Sequence, residues 1–116
     1  MKFMTIVKSS EKLGPAPQAM NDAVEQAMAE GFKSGRIVEA GGLMKSETGA
    51  KVRLSGGKVT ITDGPFTEAK EIIGGYAIYV VKSKAEIIEE ARLFMELTKK
   101  HWPAWEGESE IRQLYE

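Results

Sequence analysis

The chain has 116 residues, 42% of them hydrophobic and 28% charged, a length and composition that exclude two full domains, a long repeat array and a disordered chain. Sixteen Lys and Arg against seventeen Asp and Glu leave a net charge of −1, too little for the basic field that non-specific nucleic-acid binding needs. There is no cysteine and one histidine, His101, which removes disulfides, thiolate nucleophiles and cysteine- or multi-histidine-based metal sites within one chain.

Phe3–Val7 is apolar and partly β-branched between Lys2 and Lys8, which predicts a strand. Ser9–Pro17 is a loop punctuated by Gly14-Pro15 and Pro17. From Gln18 the period becomes helical: Met20, Val24, Met28 and Phe32 recur every four residues, flanked by Ala23, Ala27 and Gly31. Gly35 ends this helix as a left-handed C-cap. Arg36–Met44 returns to strand, weakened at Gly41-Gly42. Lys51–Leu54 and Lys58–Thr62 flank Ser55-Gly56-Gly57 and predict a β-hairpin. Asp63-Gly64-Pro65-Phe66 is a turn, since a proline here cannot continue a paired strand. Thr67–Ile73 is ambiguous between one helical turn and an irregular edge.

Gly75–Lys82 is the strongest strand signal. Ser83 follows as an N-cap, with Glu86 completing a capping box. Ile87, Ile88, Ala91, Phe94, Met95 and Thr98 form the stripe of a second helix, widened by Leu93 and Leu97. That helix frays at Lys99–Trp102 before Pro103, Ala104–Gly107 is a loop, and Ser109–Tyr115 alternates as a last strand. The longest apolar stretch, Tyr76–Val81, is far short of the roughly 20 residues of a membrane span. The N-terminus is too soon interrupted by charge for a signal peptide. A soluble cytoplasmic protein with no membrane partner is expected.

Without the hairpin, the order is a repeated split β-α-β pattern, so the fold class is an α+β, ferredoxin-like sandwich with an inserted β-hairpin, one domain over residues 1–116. Both helices then lie on one face of the sheet. Phe3, Thr5 and Val7 oppose Met4 and Ile6, while Tyr76, Ile78 and Val80 oppose Ala77, Tyr79 and Val81. Both faces are therefore apolar, and the second exceeds what soluble monomers usually expose. A second copy packed around a two-fold axis is the simplest cover. The alternative is that the hairpin or the C-terminal tail folds over it.

The run Thr60–Tyr76, with Asp63-Gly64-Pro65-Phe66 at its head, resembles the signature of the YCII-related, or DGPF-domain, family. Gly41-Gly42-Leu43, Ala50-Lys51-Val52-Arg53 and Glu110-Ile111-Arg112 agree in order, so the likeness covers nearly the whole chain. The resemblance implies a dimeric α+β barrel. The wider superfamily includes a lactone-forming dehydrochlorinase and heme- or quinone-handling relatives, and some YCII-type members carry a suggested His–Asp pair. The N-terminal half of this chain has no histidine, so that pair does not transfer as such. Asp63 is carried across as the signature aspartate.

Asp63, on a stiff turn at a strand end, is a candidate general base, and equally a residue that caps its own turn by accepting backbone N–H bonds. Glu68 and Glu71 lie close enough in sequence to form a carboxylate pair with it, or a solvated charged face with Lys70. Arg53 and Arg112, on strands, are candidates to grip a carboxylate ligand bidentately, or to form salt bridges with Asp63 or Glu71. His101 is a candidate acid–base group after a helix C-terminus, or a surface residue matched to the helix dipole. Trp102 and Trp105 suit an aromatic wall or the lid of a core. Tyr76 and Tyr79 point to opposite sides of one strand, so only one of them lines any given pocket. Three basic residues on the hairpin without interleaved aromatics do not make a nucleic-acid site, and no cofactor or metal is expected. The expectation is a homodimer whose cleft binds a small anionic or aromatic molecule, with metal-free acid–base chemistry of the lyase or hydrolase kind. Asp63 would be the base, with Arg53 or Arg112 orienting the substrate. The competing reading is a non-catalytic ligand-binding or protein-interaction module in which the signature is structural.

Overall fold

The computed structural model describes residues 1–116. In chain order it contains β1 (Lys2–Ser9), α1 (Gln18–Ser34), β2 (Ile37–Gly42), a 3-10 turn (Ser46–Thr48), β3 (Ala50–Ser55), β4 (Lys58–Asp63), β5 (Ile72–Val80), α2 (Lys84–His101) and β6 (Gly107–Gln113). Four strands form an antiparallel sheet in the order β2-β5-β1-β6, and β3-β4 stand apart as a two-stranded ribbon. This is the ferredoxin-like α+β arrangement with an inserted hairpin. No helix is long and apolar enough to cross a membrane.

The local signals explain most of the boundaries. Gly35 adopts the left-handed conformation after α1 and returns its N–H to the Phe32 carbonyl. The Ser83 hydroxyl accepts the Glu86 N–H at 3.1 Å, while the Glu86 carboxylate reaches back to the Lys82 N–H at 2.8 Å, one residue earlier than in the usual capping box. Gly56 and Gly57 both take positive φ (57° and 76°), the twist that a tight two-residue hairpin loop demands.

Several expectations change: the strand expected over Arg36–Met44 ends at Gly42, and the one expected over Gly75–Lys82 spans Ile72–Val80. The ambiguous stretch Thr67–Ile73 is neither a helical turn nor an edge throughout, because turns give way to β5 at Ile72, where Ser9 supplies a ladder partner. The last strand starts two residues earlier, since Glu108 and Gly107 pair with Lys8 and Ser9, and Tyr115 lies beyond it, fully exposed. Ile88 and Leu93 leave the buried stripe of α2 and are about half exposed at 48% and 50%.

Phe3, Ile37, Ala77, Tyr79, Val81 and Ile87 form the core, with Met28, Ala40 and Ile111 packed against it. Only 12 of the 116 residues are buried, so this core is concentrated rather than spread beneath both helices. The molecule is 20 Å in its smallest dimension, the depth of one sheet and one helix layer, each about 10 Å. The strand register places Met4, Ile6, Tyr76 and Ile78 on the side away from Phe3, Thr5, Ala77 and Tyr79. Neither candidate cover within the chain is laid over that side: every hairpin residue is exposed, and of the tail only Leu114, whose N–H bonds the Lys2 carbonyl, is half-buried, while Tyr115 and Glu116 are exposed.

A small-residue floor opens a cleft between sheet and helices

Side-chain size along the sheet decides where the interior is filled. At one end Phe3, Ile37, Tyr79 and Val81 meet Ile87, which has no exposed surface. Toward the other end the helix-facing positions become small. Thr5 pairs with Ala77 and Val7 with Gly75, while Ala40 pairs with Ala77 and Ser109 with Val7. The helices cannot descend to fill the gap, because they are held by the bulky end. The result is a cleft of about 540 Å³, within the size range of small-molecule sites.

Its roof is Met20, Val24, Met28 and Phe32 of α1 with Ala91, Phe94 and Thr98 of α2, and Trp102 and Trp105 also line it. Leu13, Pro15, Leu43, Met44 and Lys45 rim the mouth. Thr98 is neutralised as a polar group by donating its hydroxyl to the Phe94 carbonyl at 2.8 Å. Burial pushes the Tyr79 phenol above its ordinary pKa, with Glu90 adding to the rise and Arg36 opposing it. Lys45 is the one cation on the lining and Glu11 the one carboxylate.

Glu11 is committed to a clasp. Its carboxylate accepts both the backbone N–H and the hydroxyl of Ser46, the latter at 2.6 Å, and the Ser46 hydroxyl accepts the Phe66 N–H at 2.9 Å. These Ser46 hydrogen bonds, the hydroxyl's first and the backbone's second, hold the Glu11 carboxyl below its ordinary pKa. The Gly64 N–H meanwhile bonds the Gly49 carbonyl at 2.9 Å. Three segments, the β1–α1 loop, the 3-10 turn and the turn after β4, thus meet at one serine beside the mouth. Gly64 is required at this junction: a Cβ there would lie 1.6 Å from the Ser46 carbonyl oxygen.

The candidate residues named from sequence disperse. Asp63 ends β4, exposed, and its carboxylate accepts no hydrogen bond from its own turn. The turn is held instead by Gly49 and Ser46, which corrects the capping alternative. Arg53 is exposed on β3 and pairs with no acid, while Arg112 pairs with Glu110 at 3.3 Å rather than with Asp63 or Glu71. Glu68 is exposed, 3.9 Å from Lys51, whose ammonium also sits 4.4 Å from the Phe66 ring centre. Glu71 is exposed beside Lys70 in a shallow polar recess shared with Glu106 and Glu108. His101 is half-buried at the end of α2 and does not line the cleft. Tyr76 borders the cleft through its strand, but its ring lies over Gly41 on the sheet's far side. Tyr79 is the tyrosine on the helix side.

No local sequence signal marks the clasp, because Glu11 and Ser46 are 35 residues apart and neither stands in a motif. The paired tryptophans around Pro103 and the apolar stripe of α1 are the sequence signals that point to the cleft wall. The family model of the YCII-related domain matches residues 1–94, a span that contains the clasp, the hairpin and most of the roof. No curated protein matches the chain. Trp102, Trp105 and β6 lie beyond the matched span.

Proposed function

Because the chain belongs to the YCII-related domain family, we propose that it works as a homodimer, each copy of which holds a small molecule with an aromatic body between its sheet and its helices. The observation that carries the ligand reading is the 540 Å³ cleft, lined by 19 hydrophobic residues out of 32, Trp102 and Trp105 among them. An apolar cavity with few polar groups is the usual form of a small-molecule site. Lys45 at the rim gives an anionic substituent a partner at the mouth. The homodimer reading is supported by the partly exposed apolar side of the sheet, Met4, Ile6, Tyr76 and Ile78, over which neither helix nor the hairpin is laid. A patch of that kind in a soluble protein marks an interaction surface.

The test uses the two tryptophans as reporters, since the chain has no others. Titration with 1-naphthoate should change their emission saturably. Ala77→Leu, which raises the floor, should weaken that binding at least tenfold. No saturable change at millimolar naphthoate, or equal binding by Ala77→Leu, refutes the ligand reading.

A second reading is favoured by one observation, the unengaged carboxylate of Asp63. A carboxylate its own turn does not use is free to act as a general base. In that reading Asp63 works with Arg53, or with Glu68, Glu71, Arg112 or His101 contributed across a dimer, on a small anionic substrate. Asp63→Asn should then abolish turnover and leave the dimer intact.

A further inference from the structure

The hairpin is an amphipathic ribbon with nothing on its apolar side. The register pairs Val52 with Ile61 and Leu54 with Val59, so these four side chains share one face. They are 69%, 73%, 71% and 63% exposed, respectively. Lys51, Arg53 and Lys58 occupy the opposite face. The root of the ribbon is fixed by the Gly64–Gly49 hydrogen bond and the Lys51–Phe66 contact. It therefore projects as a held arm, yet an isolated two-stranded hairpin in water is marginal at best.

We infer that this arm packs its apolar face against the open sheet face of a second copy of the chain, each copy reaching over the other. The inference rests on the homodimer reading above and says which segment makes the contact. Charge favours this occupant. Residues 50–63 carry Lys51, Arg53 and Lys58 against Asp63, a net +2, leaving the remaining residues of the −1 chain at −3. On the open face the register places Glu39 at one margin and Glu108 and Glu110 at the other, with Lys2, Lys8 and Arg112 on the same side. Lys8 and Arg112 offset Glu110, and Glu39 and Glu108 have no ion-pair partner within the chain. The long stems of Arg53 and Lys58 let their charges reach past the ribbon's edge toward such a margin.

Area favours it as well. Four side chains this exposed present on the order of 400 Å², the size of the largest apolar patch a typical monomer shows. In a reciprocal exchange each copy buries its own arm and an equal receiving surface, about 800 Å², which is the per-partner area of a standard specific interface.

The test is sedimentation equilibrium of the wild type and of a Leu54→Glu/Ile61→Glu double variant, with circular dichroism melts of both. Beyond its root at Gly49, Lys51 and Phe66 the arm is exposed along its length, so the double variant should keep the body's melt once both are diluted to single chains. Its dimer dissociation constant should rise at least a hundredfold. Hydrogen exchange of the wild type supplies a reading that no substitution can spoil: amides of residues 52–54 and 59–61 should slow as concentration carries the protein into the dimer. A wild-type dimer with the double variant associating equally well, or with arm amides as fast as in the monomer, overturns the arm assignment and leaves the homodimer standing. A wild type that stays single at millimolar concentration overturns both.

Discussion

Gly64→Ala puts the junction at the cleft mouth to a direct test. The added methyl would lie 1.6 Å from the Ser46 carbonyl oxygen, 2.6 Å from its carbon and 3.2 Å from the Glu47 nitrogen. All three are backbone atoms, so no side chain can rotate away. The 3-10 turn must move, and with it the Ser46 hydroxyl that holds Glu11 and the Phe66 N–H. Overpacking costs about 1–3 kcal/mol where flexible side chains give way, and a rigid obstacle puts this variant at the top, about 3 kcal/mol. For a chain of this size that lowers the melting temperature by roughly 10–15 °C. Gly42→Ala and Gly74→Ala are the controls, because a methyl at either position meets nothing within 4 Å, and each should stay within about 0.5 kcal/mol of the wild type. Differential scanning calorimetry reads all three. A Gly64→Ala melt indistinguishable from the controls would show that the turn and Ser46 do not approach as described, and the clasp would fall with it.

Asp63→Asn should leave the melt within about 0.5 kcal/mol of the wild type, since the carboxylate supports no bond in its turn; a clear loss of stability would restore it as a structural cap. Ile87→Ala empties the most enclosed core position and should cost about 3–4 kcal/mol in urea unfolding. Ser83→Ala should cost about 1 kcal/mol by removing the α2 cap. The hydrogen bonds from Ser46 lower the Glu11 pKa in the folded chain, so the clasp contributes fully above the ordinary carboxylate range and is lost as pH falls through the lowered value. Glu11→Gln should flatten the acid limb of the stability profile by one group, with Glu89 and Glu110, both lowered by their basic partners, sustaining the rest. Lys8 has the opposite sign: its pKa is raised, so its contribution is present below about 10.5 and fades as pH climbs through the raised value.

The parts of the fold that local chemistry determines were legible in the sequence. Period-four spacing marked α1, Ser83 and Glu86 marked the start of α2, and Gly56-Gly57 marked the hairpin. The double-sided apolar pattern of Phe3–Val7 and Tyr76–Val81 also marked a sheet with apolar residues on both sides. The cleft was not legible, because it arises from a gradient of side-chain size across strands. Thr5, Ala40, Gly75 and Ala77 are each unremarkable alone and form a floor only in the observed register. Asp63 stands out in its motif, yet the neighbours that matter structurally are Gly64 and Phe66, whose backbone groups meet partners 15 and 20 residues earlier. Sequence proximity of Glu68 and Glu71 to Asp63 suggested a carboxylate cluster, but the chain turns away at Pro65 and spreads them over separate surfaces.

The clasp also bears on how the cleft exchanges its contents with solvent. One carboxylate and one hydroxyl knot together three stretches of chain, none of which belongs to the four-stranded sheet or to either helix. Such a knot can untie as a local event, far below the free energy of global unfolding. In the ligand reading proposed above, the doorway would swing while floor and roof stay in place, so that Glu11 and Ser46 would set residence time and the small residues of the floor would set affinity.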